Sequence, residues 1–179
     1  MNHAAEFQRI GKRLREEGLV SANFGNMSVR KGDGLLITRN GAFLDSPGEL
    51  VYVAMAGAIP QEASSECKLH REVYRITPHH AVVHAHPPHA VATSLHRDRI
   101  VPVDSEGVMF CPSVPVVTGL PGSMEMAENV ASALKDHKVV IVRGHGTVCG
   151  AGSLEEGYVL TSIVEHSCRV LLLSWGGCD

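Results

Sequence analysis

The sequence contains few aromatic residues, which argues against single-stranded nucleic acid as a ligand. Phe, Tyr and Trp together make up 4% of the 179 residues, whereas proteins that bind single strands stack the bases on aromatic side chains. Basic residues are not in excess either: 16 Lys and Arg stand against 19 Asp and Glu, for a formal net charge of -3. They form no basic run that could neutralise a phosphate backbone. We therefore expect no nucleic-acid partner.

Long apolar runs and paired cysteines are also missing. No stretch approaches the roughly 20 apolar residues that cross a bilayer, and the charged N-terminal segment is unlike a secretory signal. Cys67, Cys111, Cys149, Cys168 and Cys178 are odd in number and form no C-x-x-C pair, which favours reduced thiols. These features predict a cytoplasmic protein without a membrane partner, and they give the cysteines no role.

The composition is that of a folded globular chain. Hydrophobic residues make up 44% of the sequence and charged residues 20%, close to the average of globular proteins. A chain of this length suits one hydrophobic core better than two, so we expect residues 1–179 to form a single domain.

The first half is predicted to be rich in strands. Apolar spacing predicts a helix over residues 6–17 that ends at Gly18, and Asp33-Gly34 indicates a hairpin between two strands. A short helix then follows, whose first turn is predicted to hold Ser64, Ser65 and Glu66.

The second half is predicted to alternate between helices and strands. Ser123 and Ser153 open two helices, the second through a capping box with Glu156, and that helix is expected to end at Gly176-Gly177. Short apolar runs predict strands over residues 81–85, 101–103, 114–117 and 138–142. This order of elements predicts an α/β or α+β sandwich with helices flanking a central sheet.

Histidine is abundant, and its spacing indicates a metal site. The chain has 11 histidines. His84 and His86 stand at i and i+2 of a predicted strand, so both side chains face one way and can reach one ion about 2.0–2.1 Å from each nitrogen. His145 lies between Gly144 and Gly146 just after another predicted strand. Taken singly, an H-x-H pair is more often the wet face of an edge strand, and a Gly-His-Gly segment is more often an ordinary turn.

Glu66 is the acidic candidate, because it lies behind Ser64 and Ser65 where a helix begins, and helix N-termini attract anions. The alternatives are an acid that stabilises the helix dipole by about 0.3–1 kcal/mol and a plain serine N-cap. Polar turns over residues 23–26 and 38–41 are able to point backbone amides at an oxyanion. Neither a P-loop nor a dinucleotide fingerprint occurs.

Together these segments resemble the class II, zinc-dependent aldolase/adducin head-domain family. Each motif is short, but five of them occur in the family's order and spacing. They are Gly25-Asn26-Met27-Ser28-Val29-Arg30, Ile37-Thr38-Arg39-Asn40-Gly41, Ser64-Ser65-Glu66, His84-Ala85-His86-Pro87 and Gly144-His145-Gly146.

The resemblance implies a three-layer α/β/α sandwich around a mainly antiparallel sheet, assembled as a homotetramer with active sites at subunit interfaces. It implies that His84, His86 and His145 bind Zn²⁺ or another divalent metal, and that Glu66 is the acid/base and a fourth ligand at rest. The phosphate of a small sugar phosphate would be held by Gly25, Asn26, Asn40, Gly41, Ser64 and Ser65. The implied reaction is reversible aldol cleavage of a phosphorylated ketose to dihydroxyacetone phosphate and an aldehyde.

Three features depart from the family's pattern. Related aldolases often have a tyrosine before the segment Pro121-Gly122-Ser123, and none is present over residues 116–120. Asn40 stands where Ser or Thr is common. Few residues follow His145, so we expect the C-terminal segment that closes over the site in longer relatives to be missing.

The same chemistry leaves alternative functions open. A sugar-phosphate 4-epimerase and a methylthioribulose-1-phosphate dehydratase would use the same metal and the same enediolate. An adducin-like module would have the fold without catalysis, but it would have no need for His84, His86, His145 and Glu66 together.

Overall fold

The computed structural model describes residues 3–175, in which helices and strands alternate along the chain. The helices are α1 His3–Glu16, α2 Cys67–Ile76, α3 Pro88–Ser94, α4 Ser105–Phe110, α5 Met124–Ala133 and α6 Leu154–Trp175. The strands are β1 Asn26–Lys31, β2 Gly34–Ile37, β3 Val51–Ala54, β4 Ala81–Ala85, β5 Arg99–Ile100, β6 Val114–Val117, β7 Val139–Val142 and β8 Gly146–Ala151. None of the helices in this part of the chain is long and apolar enough to span a membrane.

All eight strands form one sheet in the order β3-β2-β1-β4-β8-β7-β6-β5. Every neighbouring pair is antiparallel except β6 and β7, which run parallel. In the middle of the sheet β4 lies between β1 and β8, and His84 is paired with Asn26 on one side and with Val148 on the other. The predicted mainly antiparallel sheet is confirmed.

Helices cover both faces of this sheet and create two apolar layers. Alternate residues of β4 point to opposite faces, so Val83 packs with α1 and α6 whereas Val82 packs with α2 and α5. All five residues of β4 are consequently buried. This arrangement is the predicted three-layer α/β/α sandwich. His84 has the parity of Val82 and therefore faces the α2 side.

Several predicted elements are confirmed with shifted ends. Helix α1 begins at His3 and ends at Glu16, and Gly18 follows with a left-handed φ of 73°. The hairpin forms, but Lys31 pairs with Gly34, so its turn is Gly32-Asp33, one residue earlier than predicted. Ser123 caps α5 as expected, with its side chain accepting from the backbone N–H of Met126.

Three predictions about local structure need correction or lie outside the described residues. Residues 101–103 are not a strand: β5 is Arg99–Ile100, and Pro102, which has no N–H to donate to a ladder, follows it. Ser64, Ser65 and Glu66 precede α2, with Glu66 as its N-cap, instead of filling its first turn. Gly176-Gly177 and Cys178 lie outside the part of the chain that the structure describes.

Candidate metal and substrate site

Three histidines meet at one end of the sheet. His84 is the penultimate residue of β4, His86 follows the end of that strand, and His145 lies in the turn between β7 and β8. The ring centroids are 4.7–4.8 Å apart in all three pairings, and one ring nitrogen of each lies within 4.8 Å of the others. Neighbouring ligands of a tetrahedral zinc ion are about 3.3–3.4 Å apart, so small adjustments would bring the rings around one cation.

The backbone holds these histidines in place. His84 Nδ1 lies 2.8 Å from the Thr147 carbonyl oxygen, which can only accept, so the proton is on Nδ1 and Nε2 has its lone pair free. Gly144 has a left-handed φ of 65°, as the turn before His145 requires. A Cβ on Gly146 would lie 2.2 Å from the Ala85 carbonyl oxygen, so glycine allows the close approach of β4 and β8 here.

Glu66 approaches the histidines from the N-cap of α2. Its Oε2 lies 3.0 Å from His84 Nε2 and accepts a 2.9 Å hydrogen bond from Asn26 Nδ2. Its Oε1 lies 3.8 Å from His145 Nε2 and, within residues 3–175, is buried without a hydrogen-bond partner. A buried carboxylate oxygen without a partner costs free energy unless a cation or a donor satisfies it. This oxygen and the three imidazoles are a suitable donor set for a divalent metal.

The electrostatics keep the donors in their metal-binding forms. Burial, together with the neighbouring His84 and His145 rings, lowers the pKa of His86 to about 3. Burial and His84 also lower the pKa of His145. Burial alone would raise the pKa of Glu66, but the attraction of His84 and the hydrogen bond from Asn26 more than offset it, so that pKa is lowered. The lowered pKa values of His86, His145 and Glu66 therefore favour unprotonated imidazoles at His86 and His145 and an ionised carboxylate at Glu66.

A cavity of about 220 Å³ opens beside this cluster. All the residues predicted to hold a phosphate line it together with Glu66, His86 and His145, while His84 lies behind them and is 1% exposed. The predicted residues are Gly25, Asn26, Asn40, Gly41, Ser64 and Ser65. The fold therefore brings all the candidate residues to this cavity and to the histidine cluster beside it.

The phosphate-binding candidates come from loops that are hydrogen-bonded to one another. The Asn40 N–H donates to the Glu62 carbonyl, and the Ser64 N–H donates to the Thr38 carbonyl. Gly41 has a left-handed φ of 71°, which accounts for glycine in this turn. Asn26 differs from the others, because its side-chain amide is already hydrogen-bonded at both ends, to Glu66 and to His70.

Sequence analysis missed several residues around the site. Phe24 stacks on His86 with ring centroids 5.7 Å apart and ring planes at 8°. Behind Glu66, a buried hydrogen-bonded group comprises Ser28, His70 and Tyr74. Glu66, the N-cap of α2, is followed at intervals of four residues by His70 and Tyr74. Residues at this spacing lie on one side of a helix, and this polar pattern is the feature of the sequence that could have identified them. Pro121 and Gly122, from the segment where related aldolases have a tyrosine nearby, also line the cavity.

The geometry defines a class of protein: an α/β/α sandwich with three histidines that could hold a metal ion, an adjacent carboxylate and a polar cavity beside them. The sequence profile described as "Class II Aldolase and Adducin N-terminal domain" matches residues 5–172. The chain belongs to this family.

Individual relatives agree with that assignment. The chain is 32% identical over 170 residues to the L-fuculose phosphate aldolase of Methanococcus vannielii, covering 92% of this chain and 93% of the relative. It is 34% identical over 165 residues to the L-fuculose phosphate aldolase of Escherichia coli K12, with 87% and 75% covered. Among solved structures, L-fuculose-1-phosphate aldolase from Thermus thermophilus superposes with a TM-score of 0.94 at 39% identity, covering 98% of this chain and 96% of that one.

Proposed function

We propose that this chain is a zinc-dependent aldolase that reversibly cleaves a small phosphorylated ketose to dihydroxyacetone phosphate and an aldehyde. L-Fuculose 1-phosphate is the first substrate to test, because that substrate is named for the relatives of high coverage. The observation that carries the proposal is one cavity with three imidazoles and a carboxylate on one side and a polar loop cluster on the other.

The metal would be held by His84, His86 and His145, with Glu66 beside it. A bound divalent cation would supply Lewis-acid stabilisation of the negative charge that develops on the carbonyl and hydroxyl oxygens of the ketose. Zinc is the proposed metal, because three imidazoles with an open fourth position are typical of catalytic zinc.

Glu66 is the proposed acid/base. In the cleavage direction the Glu66 carboxylate would accept the proton of the C4 hydroxyl as the C3–C4 bond breaks, and the electron pair of that bond would pass to the fragment that carries the carbonyl. Glu66 would then deliver this proton to C3, which releases dihydroxyacetone phosphate. In synthesis the carboxylate removes the C3 proton and returns it to the new C4 hydroxyl. The lowered pKa of Glu66 keeps the carboxylate ionised at neutral pH, which a base requires.

The phosphate would be held by amides and hydroxyls of the loops around Gly25, Gly41 and Ser64. Backbone N–H groups in such turns bind anions without a paired cation. Arg39 also lines the cavity and brings a positive charge to this side of it.

We also propose a homotetramer acting in the cytoplasm, with substrate sites at subunit interfaces. The support is a group of exposed apolar side chains in and just before α4. Val101, Val103, Val108, Met109 and Phe110 are each at least half exposed, and apolar surface of this kind marks protein contacts. Light scattering after size-exclusion chromatography tests the tetramer. The cytoplasmic location stays a prediction.

Glu66→Gln tests the proposal most selectively. We expect the variant to keep zinc through its three histidines, but to stop exchanging with deuterated solvent the dihydroxyacetone phosphate proton that Glu66 removes, as measured by proton NMR. Glu62→Gln, an exposed change four residues away, is the matched control and should exchange normally. Exchange at the parent rate in Glu66→Gln would remove Glu66 from the acid/base role.

A substrate panel separates the alternative functions. L-Fuculose 1-phosphate should give dihydroxyacetone phosphate in a coupled assay. Epimerisation of ribulose 5-phosphate, or dehydration of methylthioribulose 1-phosphate, without aldol cleavage would favour the corresponding alternative. A zinc-loaded chain inactive on all three would favour the adducin-like module.

A further inference from the structure

A chain of buried polar groups runs between β1 and α2 and ends at Glu66. We refer to Asn26, Ser28, His70 and Tyr74 as the buried relay. Asn26 and Ser28 are i and i+2 on β1, and His70 and Tyr74 are one and two helical turns after Glu66 on α2. The exposed fractions of the four side chains are 6%, 0%, 0% and 2%, so solvent does not satisfy their polar atoms.

The distances link the relay without a break. Asn26 Nδ2 lies 2.9 Å from Glu66 Oε2, and Asn26 Oδ1 lies 2.5 Å from His70 Nε2. His70 Nδ1 lies 2.7 Å from Ser28 Oγ, which lies 2.8 Å from Tyr74 Oη. Each contact is short enough for a hydrogen bond.

The direction of every hydrogen bond in the relay follows from its Glu66 end. The Glu66 carboxylate can only accept, so the Asn26 amide nitrogen faces it and the amide oxygen faces His70. That oxygen can only accept, so the proton of His70 is on Nε2. In the neutral ring Nδ1 is then an acceptor, which the Ser28 hydroxyl satisfies, and Tyr74 donates to Ser28. A histidine in the other tautomer would break the contact with Asn26 and leave its amide free to rotate.

Core packing alone does not account for this arrangement. Apolar residues of similar shape would fill the space between sheet and helix without the risk of an unsatisfied buried group, which costs about 1–3 kcal/mol. Valine and leucine occupy the neighbouring positions of α2, at Val73 and Leu69. His70 and Tyr74 lie on the side of α2 that leads to Glu66, and both are at most 2% exposed.

We propose that His70 is a positioning residue: held in the Nε2–H form by Ser28, it orients the Asn26 amide so that its N–H fixes Glu66 Oε2 beside His84. This inference rests on the proposed acid/base role of Glu66. His70 itself does not line the cavity, and it reaches the site through its contact with Asn26, which does.

Two substitutions of the same residue separate donor placement from packing. Glutamine can set an amide N–H near the position of Nε2, whereas asparagine reaches only to the position of Nδ1. In zinc-loaded full-length chain, we expect His70→Gln to keep proton-exchange kcat within about threefold of the parent. We expect His70→Asn to lower kcat by about 10-fold to 100-fold, as loss of an outer hydrogen-bond partner does. The KM for dihydroxyacetone phosphate should change little in both, because the loops around Gly41 and Ser64 are unchanged and the Asn26 side-chain amide is already bonded to Glu66 and His70.

A spectroscopic measurement makes the test independent of activity. Long-range proton–nitrogen NMR of the zinc-loaded parent should show His70 as the Nε2–H tautomer. Ser28→Ala removes the donor to Nδ1 and should produce a mixture of tautomers together with a lower kcat. Thr161→Val is the control: it removes an equally buried hydroxyl, bonded within α6 to the Gly157 carbonyl, and should change neither.

The outcomes distinguish this inference from the proposed function. An Nδ1–H tautomer in the parent, or equal kcat values for the asparagine, glutamine and parent proteins, would overturn the positioning role. No proton exchange in the zinc-loaded parent would instead overturn the proposed function. If His70→Gln does not fold, the parent tautomer and the Ser28→Ala result still decide the question.

Discussion

Glu66 Oε2 lies 3.0 Å from His84 Nε2, although the two residues come from different layers of the sandwich. His84 belongs to the centre of the sheet, and Glu66 caps a helix packed on it. Asn26, the sheet partner of His84, also hydrogen-bonds to Glu66. The sheet and the helix layer therefore both position the carboxylate. A change in how the two layers pack will change the distance between Glu66 and His84.

Gly25 is predicted to be essential to the site for a steric reason. It has a left-handed φ of 82°, and a Cβ there would lie 2.7 Å from the His84 carbonyl oxygen. Gly25→Ala should therefore displace the His84 backbone and weaken zinc binding at least about tenfold, as perturbed supporting contacts commonly do. Zinc titration by calorimetry measures this.

Gly18→Ala is the matched control for that prediction. Gly18 has a similar φ of 73°, but a Cβ there meets nothing within 4 Å. Its replacement should lower the free energy of unfolding by about 1–2 kcal/mol, the cost of a left-handed non-glycine residue, and leave zinc affinity unchanged. Equal zinc affinities in the two variants would show that the contact with His84 is unimportant.

Phe24 is predicted to hold the His86 ring in its orientation. The rings are stacked, and Phe24 is 53% exposed, so its removal should affect stability little. An aromatic pair contributes about 0.5–1.5 kcal/mol, and Phe24→Ala should therefore weaken zinc binding about twofold to tenfold. Phe43→Ala, at 49% exposure, serves as control and should have no effect. A loss of affinity of the same size in both variants would contradict the prediction.

The buried thiols are predicted to be unreactive at neutral pH. Burial raises the pKa of Cys67 and of Cys111 to about 11 and that of Cys168 to about 12, and it raises the pKa of Cys149 as well. Because the thiolate is the reactive form, all four should resist iodoacetamide in the native protein and react after unfolding. Peptide mass spectrometry measures each site, and rapid native labelling of any of the four would count against this prediction.

Much of the fold could be predicted because its strands and helices have clear apolar patterns. The run 81–85 and the spacing of Leu69, Val73 and Ile76 correspond to β4 and α2. Residues 101–103 were misleading, because Val-Pro-Val occurs there and also at residues 114–116, but only the second copy lies in a strand. Composition alone does not distinguish the two. The strand order could not be predicted, because strand partners that lie far apart in the chain, such as Asn26 and His84, leave no pattern in the local sequence.

The candidate site was predictable where chemistry shows in spacing, as for His84 and His86, and where a strand ends, as for His145. The family resemblance then implied that all three bind one metal. The buried relay was not predicted. Ser28, His70 and Tyr74 acquire meaning only when β1 packs on α2, and their types alone do not distinguish a hydrogen-bonded chain from scattered polar residues.

Metal content is the most direct test of the account. After zinc loading and desalting, native mass spectrometry should find about one zinc per chain, none in His84→Ala, and the parent amount in the control His96→Ala, whose histidine is exposed outside the site. Retention of zinc by His84→Ala, or failure of the parent to retain any, would contradict a metal centre formed by His84, His86 and His145.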